Sequence, residues 1–155
     1  MDALLRGMKV LVVEDQADAR DLLVTVLAAA GAQVTSASSA VDARAAFART
    51  RPDVLVSDIA MPREGGYELI RTIRNWGPDG DNKIPAIAVT ALAAPEDRAL
   101  ALAAGYDVHL AKPIDPQELV RLVHRLVGGR PSDGAEVSAP GEERGSGRPG
   151  NGKRR

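Results

Sequence analysis

Hydrophobic and polar positions along the chain follow two alternating patterns. Short apolar runs, typical of strands buried on both faces, are each followed by a longer segment whose apolar residues recur every three or four positions. The apolar runs predict five strands, at 8–13, 33–37, 54–56 (closed by Ser57 and Asp58), 84–89 and 107–110. The amphipathic segments predict five helices, at 16–30, 40–50, 67–76, 95–104 and 116–127.

This alternation predicts an α/β fold. A repeat of strand and helix forms a parallel sheet with helices on both faces, joined by right-handed crossovers. We therefore expect a flavodoxin-like, doubly wound (βα)5 domain with a five-stranded parallel sheet in the order 2-1-3-4-5.

Local signals place the helix ends. Ser39 is suited to an N-cap, and Pro95 to the first position of a helix. Gly31 and Gly105 are predicted to end the helices before them, and Asp115 to cap the last one. We expect the apolar side of the first helix to consist of Leu22, Leu23, Val26 and Leu27.

The composition narrows the class of protein. The chain has 155 residues, of which 45% are hydrophobic and 3% aromatic, so Ala, Val and Leu must fill the core. It has no cysteine, which excludes disulfides and thiolate metal sites and favours a reducing, cytoplasmic location. The longest nearly apolar run, 22–32, is too short to span a bilayer, and no signal peptide or membrane segment is predicted.

Composition changes sharply after Gly128, where Gly, Pro, Ser, Glu and Arg dominate. Such a segment buries too little apolar surface to offset the entropy lost on ordering. We predict an N-terminal extension at 1–7, a folded domain at 8–128 and a disordered tail at 129–155. The net charge is −1, and no basic patch in the folded part indicates nucleic-acid binding.

Polar residues whose side chains can bind a cation or take part in catalysis stand at the ends of the predicted strands. Glu14 and Asp15 follow the first strand, Asp58 ends the third, Thr90 ends the fourth and Lys112 follows the fifth. In the expected sheet order, strands one and three flank the switch point, where ligands bind. Each residue alone has an ordinary explanation as a turn, strand-end or helix-start residue. Their convergence on one edge favours a functional site.

The types of residue at this edge fit phosphoryl transfer. Carboxylates packed together repel one another and need a cation, and an all-oxygen site suits Mg²⁺. With Mg²⁺ bound, Asp58 is suited to act as a nucleophile toward a phosphoryl group. Lys112 would neutralise charge on the phosphoryl oxygens, and the Thr90 hydroxyl would donate a hydrogen bond to one of them.

Five short motifs lie at or beside the predicted strands: Val12-Val13-Glu14-Asp15, Asp58-Ile-Ala-Met61-Pro62 with Gly65-Gly66, Thr90-Ala91, Gly105-Tyr106-Asp107 and Leu110-Ala-Lys112-Pro113. Together they resemble the receiver domain of two-component response regulators, over about residues 8–127. The resemblance implies that Asp58 is the phosphoacceptor. It also implies that Glu14, Asp15 and Asp58 bind Mg²⁺ with the main-chain carbonyl of Ala60.

The resemblance assigns further roles. Thr90 and Lys112 would contact the phosphoryl group, and the Lys112–Pro113 bond is expected to be cis. His109 takes the position of the family's switch residue, usually Tyr or Phe, which works with Thr90. Two interpretations of His109 stay open: a tolerated alternative ring, or a residue that titrates and so makes the switch sensitive to pH.

Two positions that tune dephosphorylation in the family hold Ala60 and Leu92. Neither side chain can position a water molecule by hydrogen bonding, so we expect slow self-dephosphorylation.

The resemblance implies a role in phosphorelay signal transduction. The expected partners are a sensor histidine kinase or histidine phosphotransfer protein, and a downstream protein that reads the surface formed by 91–127. The chain would catalyse only its own phosphorylation and dephosphorylation. No DNA-binding domain is recognised after Val127.

Three alternatives for the chain stay open, and two enzyme or nucleotide-binding functions lack their motifs. The chain could be a free-standing receiver, the receiver module of a hybrid histidine kinase, or a phosphate-independent interaction module of the same fold. A haloacid-dehalogenase-like phosphatase would need an Asp-x-Asp motif on its first strand, where this chain has Glu14-Asp15-Gln16. A nucleotide-binding function is not predicted, because no phosphate-binding loop of the type Gly-x-x-x-x-Gly-Lys-Ser/Thr occurs in the sequence.

Overall fold

The computed structural model of the chain describes residues 3–61, 63–77, 80 and 82–128. Five strands alternate with five helices. The strands are β1 (Lys9–Val13), β2 (Gln33–Ala37), β3 (Val54–Asp58), β4 (Ala86–Thr90) and β5 (Val108–Ala111). The helices are α1 (Ala17–Ala29), α2 (Ala40–Thr50), α3 (Gly66–Arg74), α4 (Pro95–Ala104) and α5 (Pro116–Gly128). The predicted tail, 129–155, lies outside the described residues.

All strand pairs are parallel, and the sheet order is β2-β1-β3-β4-β5. The predicted flavodoxin-like fold is therefore confirmed. Strands β1 and β3 are neighbours in the sheet, although a full strand and two helices separate them along the chain. This order brings the carboxyl ends of β1, β3, β4 and β5 to one edge.

Two hydrophobic cores cover the two faces of the sheet. Alternate residues of β1 point to opposite faces: Leu11 and Val13 join the core with α2 and α3, whereas Val10 and Val12 join the core with α1 and α5. Strands β3 and β4 are buried along their whole length, as their continuous apolar runs predicted.

The predicted helix signals are confirmed. The Ser39 hydroxyl accepts a hydrogen bond from the main-chain N–H of Asp42 at 3.1 Å, and Pro95 is the first residue of α4. The Asp115 carboxylate accepts from the N–H of Gln117 at 3.0 Å at the start of α5. After α1, Gly31 has a φ of 103°, a conformation that glycine adopts without strain.

Several details differ from the predictions. Leu22 is 51% exposed, so its assignment to the apolar side of α1 is wrong; Leu23 and Leu27, four residues apart, make the buried contacts instead. Strand β4 begins at Ala86, two residues later than predicted, because Pro85 has no N–H to donate to a neighbouring strand.

The N-terminal residues pack on the domain. Leu5 is fully buried in the core formed with α1 and α5. Its N–H donates to the Ala30 carbonyl at 2.9 Å, and its carbonyl accepts from the N–H of Met8 at 2.9 Å. The packed unit therefore begins before residue 8, the predicted boundary. Among the described residues, no helix has the length and apolar character that crossing a membrane requires.

Arg51 offers a test of backbone strain. It ends α2 with a φ of 50° and a ψ of 64°, the left-handed conformation that costs residues with a Cβ roughly 1–2 kcal/mol. We expect Arg51→Gly to raise the free energy of unfolding by about 1 kcal/mol, the relief of strain exceeding the entropy that glycine adds to the unfolded chain. Urea unfolding measures the change.

The matched control is Arg49→Gly, inside the last turn of α2. There the same replacement is expected to lower the free energy of unfolding by about 1 kcal/mol, because glycine weakens a helix interior. Equal losses in the two variants would contradict strain at Arg51.

Candidate functional site

Four polar side chains meet at the carboxyl edge of the sheet. Glu14 follows β1, Asp58 and Thr90 end β3 and β4, and Lys112 follows β5. Glu14 and Thr90 are fully buried, and Asp58 is 5% exposed. Buried polar residues of this kind need partners, and here they find them in one another and in nearby main-chain groups.

Three carboxylates form a cluster at this edge. Oxygens of Glu14, Asp15 and Asp58 all lie within 4.8 Å of one another, close enough to share one cation. The Lys112 ammonium lies beside two of them, 2.7 Å from Glu14 Oε1 and 3.2 Å from Asp58 Oδ2. One ammonium leaves the three carboxylates with excess negative charge. The donor set therefore fits a hard divalent cation such as Mg²⁺.

Burial and charge pairing oppose each other at Glu14 and Lys112. Burial raises the pKa of the Glu14 carboxyl above its ordinary value, against the lowering effect of the hydrogen bond from Lys112. Burial also acts to lower the pKa of the Lys112 ammonium, but the hydrogen bond to Glu14 and the charge of Asp58 outweigh it and raise that pKa. Lys112 is therefore held in its charged form.

Main-chain N–H groups orient the carboxylates. The N–H of Ala60 donates to Asp58 Oδ1 at 2.9 Å, which leaves Oδ2 facing Lys112. The N–H of Gln16 donates to Glu14 Oε2 at 3.1 Å. Glu14 and Asp58 therefore each have one oxygen fixed by the backbone and the other turned toward the ammonium.

Gly66 allows the loop after β3 to pack closely on α3. A Cβ at this position would lie 2.5 Å from Ile59 Cα and 2.7 Å from the Asp58 carbonyl oxygen, so no side chain fits. The hydroxyl of Tyr106 donates to the Gly66 carbonyl at 2.9 Å. Burial raises the pKa of Tyr106, which keeps the phenol protonated and able to donate.

The predicted switch residues meet at the main chain of Leu92. Its N–H donates to Thr90 Oγ1 at 3.1 Å, and its carbonyl accepts from His109 Nε2 at 2.9 Å. Thr90 thus lies at the predicted edge, but the hydrogen bond that holds its hydroxyl comes from Leu92. The Leu92 peptide links Thr90 to a half-buried ring near the surface.

Sequence reasoning missed two contacts near the site. The guanidinium of Arg20, on α1, donates to the Glu14 main-chain carbonyl at 2.8 Å. Arg44 of α2 pairs with Glu64 in the loop after β3. Neither has a local signal, since each contact joins residues on different elements; Tyr106 was noted only as part of a motif.

Comparisons with known proteins decide the family. The family model for the response regulator receiver domain matches residues 10–124. The chain belongs to the response regulator receiver domain family. The Lys112–Pro113 bond, expected to be cis in a receiver domain, is cis.

Three similar proteins show what surrounds such domains. An uncharacterised 14.6 kDa protein of Leptolyngbya boryana is 46% identical over 83% of this chain and 97% of its own length. The response regulator MprA of Mycobacterium leprae is 36% identical over 85% of this chain and 57% of its own length. The chain thus spans nearly all of the first relative and little more than half of the second.

The third is a solved structure. The receiver domain of the sensor histidine kinase PA1611 from Pseudomonas aeruginosa is 33% identical, with a TM-score of 0.72, over 79% of this chain and 98% of that one. It has a magnesium ion coordinated in its active site cleft.

Lys112→Met tests the charge balance of the receiver site. We expect the free energy of unfolding to fall by about 3 kcal/mol at neutral pH, because removing one partner leaves a buried charge uncompensated. The Glu14 pKa, already above the unfolded value of 4.5, will rise further. A carboxyl with a raised pKa contributes stability at pH values below the unfolded pKa, and this contribution is lost as the pH rises. The loss of unfolding free energy in Lys112→Met should therefore become smaller toward about pH 5.

Urea unfolding at both pH values gives the measurement. The double variant Glu14→Gln/Lys112→Met should lose less stability than Lys112→Met alone, because no carboxylate remains at position 14. Lys9→Met, at an exposed lysine on β1, is the control and should change stability by less than about 0.5 kcal/mol. Equal losses in the single and double variants would show that the charge balance does not matter.

Proposed function

We propose that this receiver domain accepts a phosphoryl group on Asp58, with Mg²⁺ held by Glu14, Asp15, Asp58 and the main-chain carbonyl of Ala60. The observation that carries the proposal is the Lys112 ammonium beside Glu14 and Asp58, at the edge of a three-carboxylate cluster. A cation beside a buried carboxylate is the arrangement that a transferred phosphoryl group requires.

The chain's own residues supply positioning and charge. A carboxylate oxygen of Asp58 attacks the phosphorus atom as the bond to the donor nitrogen breaks, so an acyl phosphate forms. Lys112 neutralises charge on the phosphoryl oxygens, and the Thr90 hydroxyl donates to one of them. Mg²⁺, when bound, neutralises further charge on the phosphoryl group. The chain turns over no separate substrate.

The proposed donor is a histidine kinase or a histidine phosphotransfer protein, in keeping with the family. The proposed output surface consists of α4, β5 and α5. Helix α4 leaves its Leu100 56% exposed, and the preceding loop leaves Leu92 43% exposed. The hydrogen bonds from Thr90 through Leu92 to His109 connect the phosphoacceptor edge with this surface.

Two alternative functions are kept beside this proposal. One is the receiver module of a hybrid histidine kinase, which the similarity to the PA1611 receiver domain favours. The other is an interaction module that keeps the fold without taking phosphate. The two interpretations of His109 also stay open.

Intact mass after incubation with acetyl phosphate and Mg²⁺ tests the proposal. We expect the wild type to gain about 80 Da, one phosphoryl group, because Asp58 is buried beside a cation. Asp58→Asn should gain nothing, whereas Asp42→Asn, at an exposed carboxylate on α2, should behave as the wild type. If neither acetyl phosphate nor a phosphorylated histidine phosphotransfer protein adds mass, the phosphate-independent module is favoured.

Ala60 offers a test of the lifetime of the acyl phosphate. It is exposed beside Asp58 and, like Leu92, has no group that orients water. We expect slow loss of the phosphoryl group in the wild type and faster loss in Ala60→Asn, whose amide can hold an attacking water. Ala60→Val is the matched control, and mass is followed over time. Rapid loss that Ala60→Asn leaves unchanged would contradict this account.

A further inference from the structure

An open polar cavity lies at the edge of the sheet, where β2 is the outermost strand. Its volume is about 350 Å³. The carboxyl end of β2 contributes Ser36, Ala37 and the adjoining Ser38, α1 contributes Arg20, and α2 contributes a stripe of four residues. The volume falls within the range of about 300–1,000 Å³ that small-molecule sites occupy in proteins.

The α2 side of this cavity is hollow because its centre consists of alanine. Asp42, Ala45, Ala46 and Arg49, spaced three or four positions apart, share one side of the helix and line the cavity. Side chains on a helix lean toward its N-terminal end, so Arg49 reaches back over the two alanines. Arg49 is exposed and, within the described part of the chain, has no ion-pair partner. Its guanidinium is therefore available to a ligand in the cavity.

Arg20 brings a second guanidinium from α1. The side chain is half-buried, and its Nη1 donates to the Glu14 main-chain carbonyl at 2.8 Å, which fixes its position. A guanidinium has five N–H donors, and this contact uses one of them. None of the described carboxylates forms an ion pair with Arg20. The remaining donors belong to a side chain already held in place, so binding an anion costs little additional entropy.

The edge strand adds neutral hydrogen-bonding groups. The N–H of Gln33 and the carbonyl of Ala37 bond to residues that flank β1. Successive residues of a strand turn their main-chain groups to alternate sides, so Ser36 turns its N–H and carbonyl away from β1. The hydroxyls of Ser36 and Ser38 can donate or accept, whereas the Asp42 carboxylate accepts only. The cavity therefore combines two cationic groups with groups that suit the hydroxyls of a ligand.

We propose that this cavity binds a small phosphate monoester that carries hydroxyl groups. Arg20 and Arg49 bind the phosphoryl oxygens, because the planar fork of a guanidinium matches the geometry of phosphate. The Ser36 N–H and the serine hydroxyls add donors, and the Asp42 carboxylate accepts from a hydroxyl of the ligand. Two arginines and one aspartate give the lining a net charge of +1, which favours a phosphate dianion over a neutral sugar.

The cavity adjoins the phosphoacceptor site but is separate from it. Arg20 contacts the main chain of Glu14, whose carboxylate is turned toward Lys112. The described residues that line the cavity include none of the three carboxylates of the candidate metal site. The proposal therefore does not rest on phosphorylation of Asp58, and it can be tested without Mg²⁺.

Amide chemical shifts of the isotope-labelled full chain, titrated with glycerol phosphate in the presence of EDTA, test the proposal. We expect the largest shifts at Ser36, Ser38 and the start of α2. Arg49→Gln should raise the dissociation constant at least about tenfold, because it removes a charge-assisted contact. The matched control is Arg125→Gln, which removes an exposed arginine from the last turn of α5 and should change nothing. Glycerol, which lacks the phosphoryl group, should cause no comparable shifts.

A second pair of variants tests the shape of the cavity. Ala45→Leu fills the hollow on α2 and should also raise the dissociation constant at least about tenfold. Ala48→Leu, at an exposed position of the same helix outside the cavity, should leave it unchanged. Leucine is a good helix former, so both variants retain the fold, as circular dichroism will show.

Several outcomes would overturn the proposal. They are an absence of shifts at millimolar glycerol phosphate, shifts centred on Asp58, and equal shifts with glycerol. Equal weakening by Arg49→Gln and Arg125→Gln would show binding to surface charge alone, and binding that Ala45→Leu leaves unchanged would place the ligand elsewhere.

Discussion

The ammonium of Lys112 is the contact on which the carboxyl edge of this domain depends. It joins Glu14 and Asp58, which lie 98 and 54 residues away along the chain. Without it, three carboxylates would lie within 4.8 Å of one another with no cation from the chain itself. The parallel sheet makes this possible, because its strand order brings the ends of β1, β3 and β5 to the same edge.

The site is tied to the rest of the domain by main-chain contacts. The Tyr106 hydroxyl holds the start of α3 through the Gly66 carbonyl, and Gly66 packs directly against the loop that follows Asp58. The Leu92 peptide joins Thr90 to His109 in the same manner. These contacts run through backbone atoms, and the second of them joins a residue of the carboxyl edge to a half-buried ring near the surface.

The two faces of the sheet are covered differently. On one face α4 buries Ala101 and leaves Leu100 exposed; on the other, α1 and α5 leave an open apolar groove. The sheet therefore separates the exposed side of α4 from the groove between α1 and α5.

The sequence alone determined the elements and the edge at which the polar residues gather. Continuous apolar runs predicted the buried strands, and Ser39, Pro95 and Asp115 predicted the helix starts, because these signals act within a few residues. Tyr106 as a support of α3, and Arg20 as a partner of the Glu14 carbonyl, needed the tertiary structure. So did the exposure of Leu22 and the burial of Leu5. Each depends on a neighbour distant in sequence, and local pattern carries no information about which distant residue will fill a given space.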